Sequence, residues 1–190
     1  MRYKRLSLVL VLPMFWCLRA ESAPSIGIFF DGGCGTCGTI LSPGESAPVA
    51  VRIVWDGFVS QFPVSGARFA ISGLPAAWSM SLTPNPSAHV FGDPLAGGVS
   101  LGFTEPIHGS CIELYSGTIT AGPSPGGAVL EIVAHPTLSC FSLPSCPCIS
   151  CEAGGDCGLC AETIPGVVNG DGCLVTARES AWSEIKRVYR

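Results

Sequence analysis

Charge is scarce in this chain. Asp, Glu, Lys and Arg make up only 13% of its 190 residues, and Lys, Glu and Gln, the good helix formers, are few. Basic residues are scarcer still. Once residues 1–20 are set aside as a leader, six basic side chains face fourteen acidic ones, a formal charge of −8. Neither nucleic acid nor an anionic membrane suits such a surface, because both need basic patches. Catalytic signatures are missing as well. His89, His108 and His135 stand apart, and none belongs to a His-Glu-x-x-His pattern. Gly44-Glu-Ser-Ala-Pro48 lacks the second glycine of a nucleophile elbow. No phosphate loop or dinucleotide fingerprint occurs. Asp56, Asp93, Glu105 and Glu113 could bring two carboxylates into one cleft, as glycoside hydrolysis requires, but the sequence favours no pair. The chain therefore reads as a non-enzyme, with an extracellular hydrolase as an alternative.

Long apolar runs are absent beyond the start of the chain. Arg2, Lys4 and Arg5 precede an apolar stretch from Leu6 to Leu18, broken only by Ser7. At thirteen residues it is too short to cross a bilayer core of roughly 30 Å as a helix. With Ala20 or Ala23 offering a small residue for cleavage, residues 1–20 read as a secretory signal peptide. Ala20 is the better site, since Pro24 would follow the other cut. The expected location is secreted: extracellular, periplasmic or at the cell surface, with no transmembrane segment after cleavage.

What the chain does have is Gly, Pro, Ser and β-branched residues in short alternating runs. Ser25–Phe30 reads as a first strand and runs into the glycine-rich Asp31–Cys37. Pro48–Trp55 puts Val49, Val51, Ile53 and Trp55 on one face and Ala50, Arg52 and Val54 on the other. Ala67–Ser72, Trp78–Thr83, Val99–Phe103, Ile112–Thr120 and Ala128–Val133 repeat the period of two. Gly/Pro-rich links at Asp93–Gly98 and Ala121–Gly127 separate them. This rhythm predicts a mainly β chain, an antiparallel Ig-like or cohesin-like β-sandwich over residues 21–136. Residues 137–175 form a Cys-rich loop segment with too few large apolar residues for a core of its own. Residues 176–190 read as a short amphipathic C-terminal helix. Thr176 or Ser180 would begin it, and Trp182, Ile185 and Val188 or Tyr189 would form its apolar face against the sandwich.

Eleven cysteines fall in a telling pattern. Cys17 lies in the leader. Cys34, Cys37 and Cys111 belong to the sandwich, and Cys140, Cys146, Cys148, Cys151, Cys157, Cys160 and Cys173 to the Cys-rich segment. An even number behind an export signal predicts disulfides. Both regional counts are odd, so complete pairing needs at least one bridge between the regions. Zinc is the alternative, because Cys34-x2-Cys37 and Cys157-x2-Cys160 have ligand spacing and Cys146-x-Cys148-x2-Cys151 could add thiolates. A metal-binding Cys-rich module is accordingly a second functional reading. Calcium has a weaker case. Val168-Asn-Gly-Asp-Gly172 resembles the start of a dockerin-type EF-hand loop, with Asn169 and Asp171 as oxygen ligands. Val167 stands where an aspartate is expected and Arg178 where a carboxylate is expected, and no second repeat is present. An ordinary Asn-Gly-Asp-Gly turn is the better reading of these residues.

Two resemblances emerge from these residues. Ile26–Asp31, Gly66–Ile71, Gly92–Pro94 and the tail Ala181-Trp-Ser-Glu-Ile-Lys-Arg-Val-Tyr-Arg190 are similar to segments of uncharacterised secreted bacterial β-sandwich proteins. That resemblance carries no activity. The strand rhythm of residues 25–136 resembles cohesin-like and carbohydrate-binding sandwiches. It implies a non-catalytic binding or surface-assembly module for an extracellular protein or carbohydrate. The aromatics around the Asp56-Gly57 turn, Trp55, Phe58 and Phe62, are the candidate contacts, since such rings stack on sugars and anchor interfaces. The competing role for Trp55 is a place in the core.

Overall fold

The computed structural model describes residues 24–55, 63–123, 126–138, 147–152 and 156–170. They are all-β, in two facing sheets. Thirteen strands follow in order: β1 Ser25–Phe29, β2 Gly38–Thr39, β3 Ser46–Val54, β4 Val64–Ser72, β5 Ser79–Pro84, β6 Ala88–Asp93, β7 Gly98–Ile107, β8 Cys111–Thr120, β9 Ala128–Val133, β10 Cys148–Glu152, β11 Asp156–Cys160, β12 Glu162–Ile164 and β13 Gly166–Val168. One sheet runs β12-β1-β3-β8-β5. The other runs β11-β10-β4-β9-β13-β2, with the β6–β7 hairpin joined to β4 through β7. The predicted sandwich is therefore present. The C-terminal helix expected over 176–190 lies outside the described residues.

Every strand expected from the alternating pattern is found. The alternation works because one face of each strand enters a shared core. Ile26, Ile28, Val49, Val51 and Ile53 meet Phe69, Leu101, Leu130, Ile149 and Val168 across the two sheets. The sequence reading missed β6, which lies between two turns, and the short strands after residue 147. Those late strands need no core of their own. They pair along existing edges: β12 runs parallel to β1, β13 joins β9 and β2, and β10 lies against β4. Part of the Cys-rich segment thus completes both sheets.

The outer face of β3 is less exposed than alternation suggests. Arg52 is only 6% exposed. Its guanidinium donates to the carbonyls of Asp31 (2.8 Å) and Gly33, and to Glu113 Oε2 at 2.9 Å. Asp31 Oδ1 sits 3.7 Å away. The glycine-rich loop after β1 is thereby drawn over β3. Cys34 at its tip bonds Cys111 at the start of β8, with the Cα atoms 6.0 Å apart at a sequence separation of 77. Closing a loop of that length in the unfolded chain costs on the order of 4 kcal/mol in the entropic description.

A bulge in β8 sets the interior. Val51 pairs with Tyr115 while Arg52 pairs with Glu113, so Leu114 is the extra residue. Both Leu114 and Tyr115 are buried. Asn85 satisfies the freed carbonyls: its N–H donates to Leu114 O and its Nδ2 to Glu113 O, each at 2.9 Å. The Tyr115 ring packs edge-on against Phe69 of the facing sheet, with centroids 6.2 Å apart.

Two consequences can be measured. Arg52→Leu strands two partly buried carboxylates and two carbonyls, so chemical denaturation should show a loss of about 2 kcal/mol. Burial pushes the Tyr115 phenol up to about 12 from 10.0, with the Asp93 carboxylate adding to it. The folded chain then holds a proton that the unfolded chain has lost. Stability should fall as pH climbs from about 10 through about 12. Tyr115→Phe should remove that component of the alkaline loss.

Candidate functional site

The β6–β7–β4–β10 part of the larger sheet presents one face to the core and one outward. Register fixes the outward rows. Phe91 pairs with Ser100, Ser100 with Arg68, and Arg68 with Cys148, where the row becomes buried, Cys148 being 2% exposed. The next row runs His89, Gly102, Gly66 and Ser150. Between them Val90, Leu101, Ala67 and Ile149 point the other way, into the core. Phe91 is 75% exposed, although it stands in a regular strand. His89 beside it is exposed as well.

Glycine makes the middle of this face bare backbone. A Cβ at Gly66 would lie 2.4 Å from the Leu101 carbonyl oxygen, so no other residue fits unless the strands part. Gly102 is different: a Cβ there would meet nothing nearer than Ser65 O at 3.9 Å. Gly102 therefore leaves open backbone next to His89, while Ser100 stands between Phe91 and Arg68 in the neighbouring row. An exposed aromatic ring near the open backbone of Gly102 suits contact with another surface, since such rings anchor interfaces. Ile40 and Val129 are also exposed apolar residues, but they belong to the β9–β13–β2 end of the sheet.

Of the expected ligand contacts, Trp55 alone lies among the described residues. Trp55 is 4% exposed and belongs to the core cluster, so its ring is a core side chain and not a surface platform. The alternating face it shares with Ile53 carries it inward. Phe58 and Phe62 lie outside the described residues. The sequence reading passed over Phe91 because β6 has no clear alternating run. The useful signal was Phe91 next to Gly92-Asp-Pro94, a large apolar residue at the start of a tight turn.

The remaining candidates separate. Cys34 bonds Cys111, and Cys37 and Cys148 are also disulfide-bonded. The Cys34-x2-Cys37 pair consequently offers no thiolates to a metal. Since Cys34 and Cys111 are joined to each other, Cys37 must find its partner outside residues 21–136, as the odd cysteine counts require. Cys151, Cys157 and Cys160 fall on β10 and β11, where the backbone register pairs Cys151 with Cys157 and Cys148 with Cys160. Cys140, Cys146 and Cys173 lie outside the described residues, as does Asp171 of the calcium-like turn. Asn169 is already committed: its Oδ1 accepts from Leu41 N at 2.7 Å and its Nδ2 donates to Leu41 O at 3.0 Å. It adopts φ +54, which asparagine tolerates. Among the described residues, no three His, Cys, Asp or Glu side chains are grouped to hold a metal ion.

The carboxylates do not converge. Glu113 is bound to Arg52 on the five-stranded sheet. Asp93 and Glu105 sit at opposite ends of the β6–β7 hairpin, roughly 20 Å apart along the strand, too far to serve one glycosidic bond. Asp56 lies outside the described residues. No helix among the described residues is long and apolar enough to cross a membrane.

No known family model and no characterised protein sequence matches this chain. Solved structures do match in fold. The cohesin module of a Clostridium perfringens family 33 glycoside hydrolase shares 12% identity at a TM-score of 0.52, covering 78% of this chain and 98% of its own. The sixth cohesin of Acetivibrio cellulolyticus scaffoldin B, solved in complex with a Cel5 dockerin, shares 12% at 0.51, covering 79% and 100%. A type I cohesin–dockerin complex from Clostridium thermocellum, Coh-OlpA with Doc918, matches at 10% and 0.51, covering 77% and 98%. At these identities the likeness is one of fold: the chain is a cohesin-like β-sandwich.

The two glycines should respond differently to a methyl group. Gly66→Ala should cost about 2 kcal/mol in denaturant unfolding, because the new Cβ meets backbone. Gly102→Ala should change stability by less than about 0.5 kcal/mol.

Proposed function

We propose that this chain is a secreted, non-catalytic module that binds a protein partner through the outer face of β6, β7 and β4. The observation that carries the reading is Phe91, 75% exposed in a regular strand near the open backbone of Gly102. A fold kept rigid by a disulfide and a buried ion pair can hold such a face in one shape, which lowers the entropic cost of binding. The disulfides also suit an oxidising location outside the cytoplasm.

The fold adds to this. Two of the similar structures are cohesins solved with dockerins. A dockerin-like protein module is accordingly the first class of partner to try. A carbohydrate ligand would favour a polar cleft beside the aromatic ring, whereas the row next to Phe91 has glycine at positions 102 and 66. Catalysis has no support from the separated carboxylates.

Calorimetric titration against a panel of dockerin modules, with a glycan array in parallel, tests the proposal. A protein ligand should bind saturably. Phe91→Ala should weaken it about tenfold or more, as loss of an aromatic anchor does. Gly102→Arg should block it while the unfolding curve stays unchanged, because Gly102 has room for a side chain. Ligands found on the glycan array alone, or binding indifferent to both substitutions, would sink the reading.

A further inference from the structure

The two sheets end on the same side in edge strands, β5 in one and β6 in the other. A cleft of about 320 Å³ opens between them. Met80 and Leu82 of β5 line it from one side. Val90 of β6 and Leu95 of the following turn line it from the other, with Asp93 and Tyr115 contributing the polar groups. The volume is at the lower end of the range for small-molecule sites. The apolar walls are partly buried and continuous with the core.

Tyr115 is the unusual member. It is 2% exposed, and its hydroxyl has no hydrogen-bond partner among the described residues. A buried hydroxyl left unpaired costs free energy, so a native site with one calls for an explanation. The β8 bulge turns this ring inward, and its packing on Phe69 holds it there. Asp93 lines the same cleft as Tyr115, and its charge acts on the phenol. Asp93 Oδ1 accepts from Leu95 N at 2.8 Å, and that bond fixes the carboxylate at the rim with Oδ2 left for a further donor.

We propose that this cleft binds a small molecule with an apolar body and one hydroxyl group, the hydroxyl bridging Tyr115 and Asp93. The chemistry selects the group. A phenol donates, a carboxylate only accepts, and an alcohol between them accepts from the first and donates to the second. An ether accepts from the phenol but gives nothing to the carboxylate. Water could make the same two bonds, yet it would leave Met80, Leu82, Val90 and Leu95 wet, which an apolar body avoids. The site is separate from the Phe91 face and does not depend on a protein partner.

The test uses 1-hexanol and its isomer methyl pentyl ether as probes of the full chain, followed through the Met80 methyl resonance. Hexanol should shift that resonance saturably, and the ether should bind roughly tenfold more weakly, the value of one hydrogen bond in a partly buried site. Tyr115→Phe should bring hexanol down to about the ether's affinity. Asp93→Asn should abolish the preference for hexanol over the ether, because its Nδ2 donates to either oxygen and no acceptor is left for the hydroxyl proton; its side-chain oxygen can still accept from Leu95 N, so the turn survives even if the tyrosine variant folds poorly. Equal binding of the two probes overturns the proposal, as does a shift that never saturates. Hexanol binding unchanged in both variants also overturns it, and would mean that water alone completes the phenol.

Discussion

A guanidinium cut off from water must be answered on every side, and the answers to Arg52 organise much of this chain. Two are backbone carbonyls from the loop after β1, and two are carboxylates, Asp31 and Glu113. Meeting the carbonyls folds a glycine-rich loop over a strand that would otherwise be open to solvent. Meeting Glu113 fixes the register of β8 just where that strand gains a residue. Cys34 and Cys111 lie at the ends of the same arrangement, and their covalent bond closes it. A salt bridge at the surface contributes little. This one is mostly shielded, and its removal would leave its partners without substitutes.

The β8 bulge then connects structure to chemistry. Because Leu114 is extra, two consecutive residues face inward, and the second is a tyrosine. An ordinary strand would have sent that phenol to solvent. Here its ring joins the sheets and its hydroxyl is left over. The outer side of the other sheet shows the opposite design, with glycine at positions 66 and 102 and one large ring exposed in the neighbouring row. The sandwich thus offers two kinds of surface: an open one on the broad face of a sheet and an enclosed one at the open edge.

Much of the architecture was legible in the sequence, because a half-buried strand announces itself by alternation. Val49, Val51 and Ile53 in one strand and Phe69 and Ile71 in another are inside, as their spacing implies. The parity of the cysteines foretold a bridge out of the sandwich. The site was less legible. Alternation places Trp55 among the buried residues, but the aromatic cluster around it suggested a platform. Phe91 is conspicuous only once β6 is known to pair with β7, a contact set by a turn and by no pattern within β6 itself. The four late strands were hidden for a similar reason. Segments of three to five residues that pair on existing edges carry almost no periodic signal, and their stability comes from partners far away in sequence.

One consequence concerns force. The earliest and latest strands are neighbours, and they run parallel: β1 beside β12, and β2 beside β13. Glu162 N donates to Pro24 O, and Asn169 N to Thr39 O, along the same seam. If the chain is pulled from before Ser25 and from beyond Val168, parallel strands slide past one another lengthwise. Evenly spaced hydrogen bonds across such a seam share the load together instead of parting one by one. Tension would meet the fold in shear, the geometry in which a small β-sheet resists longest.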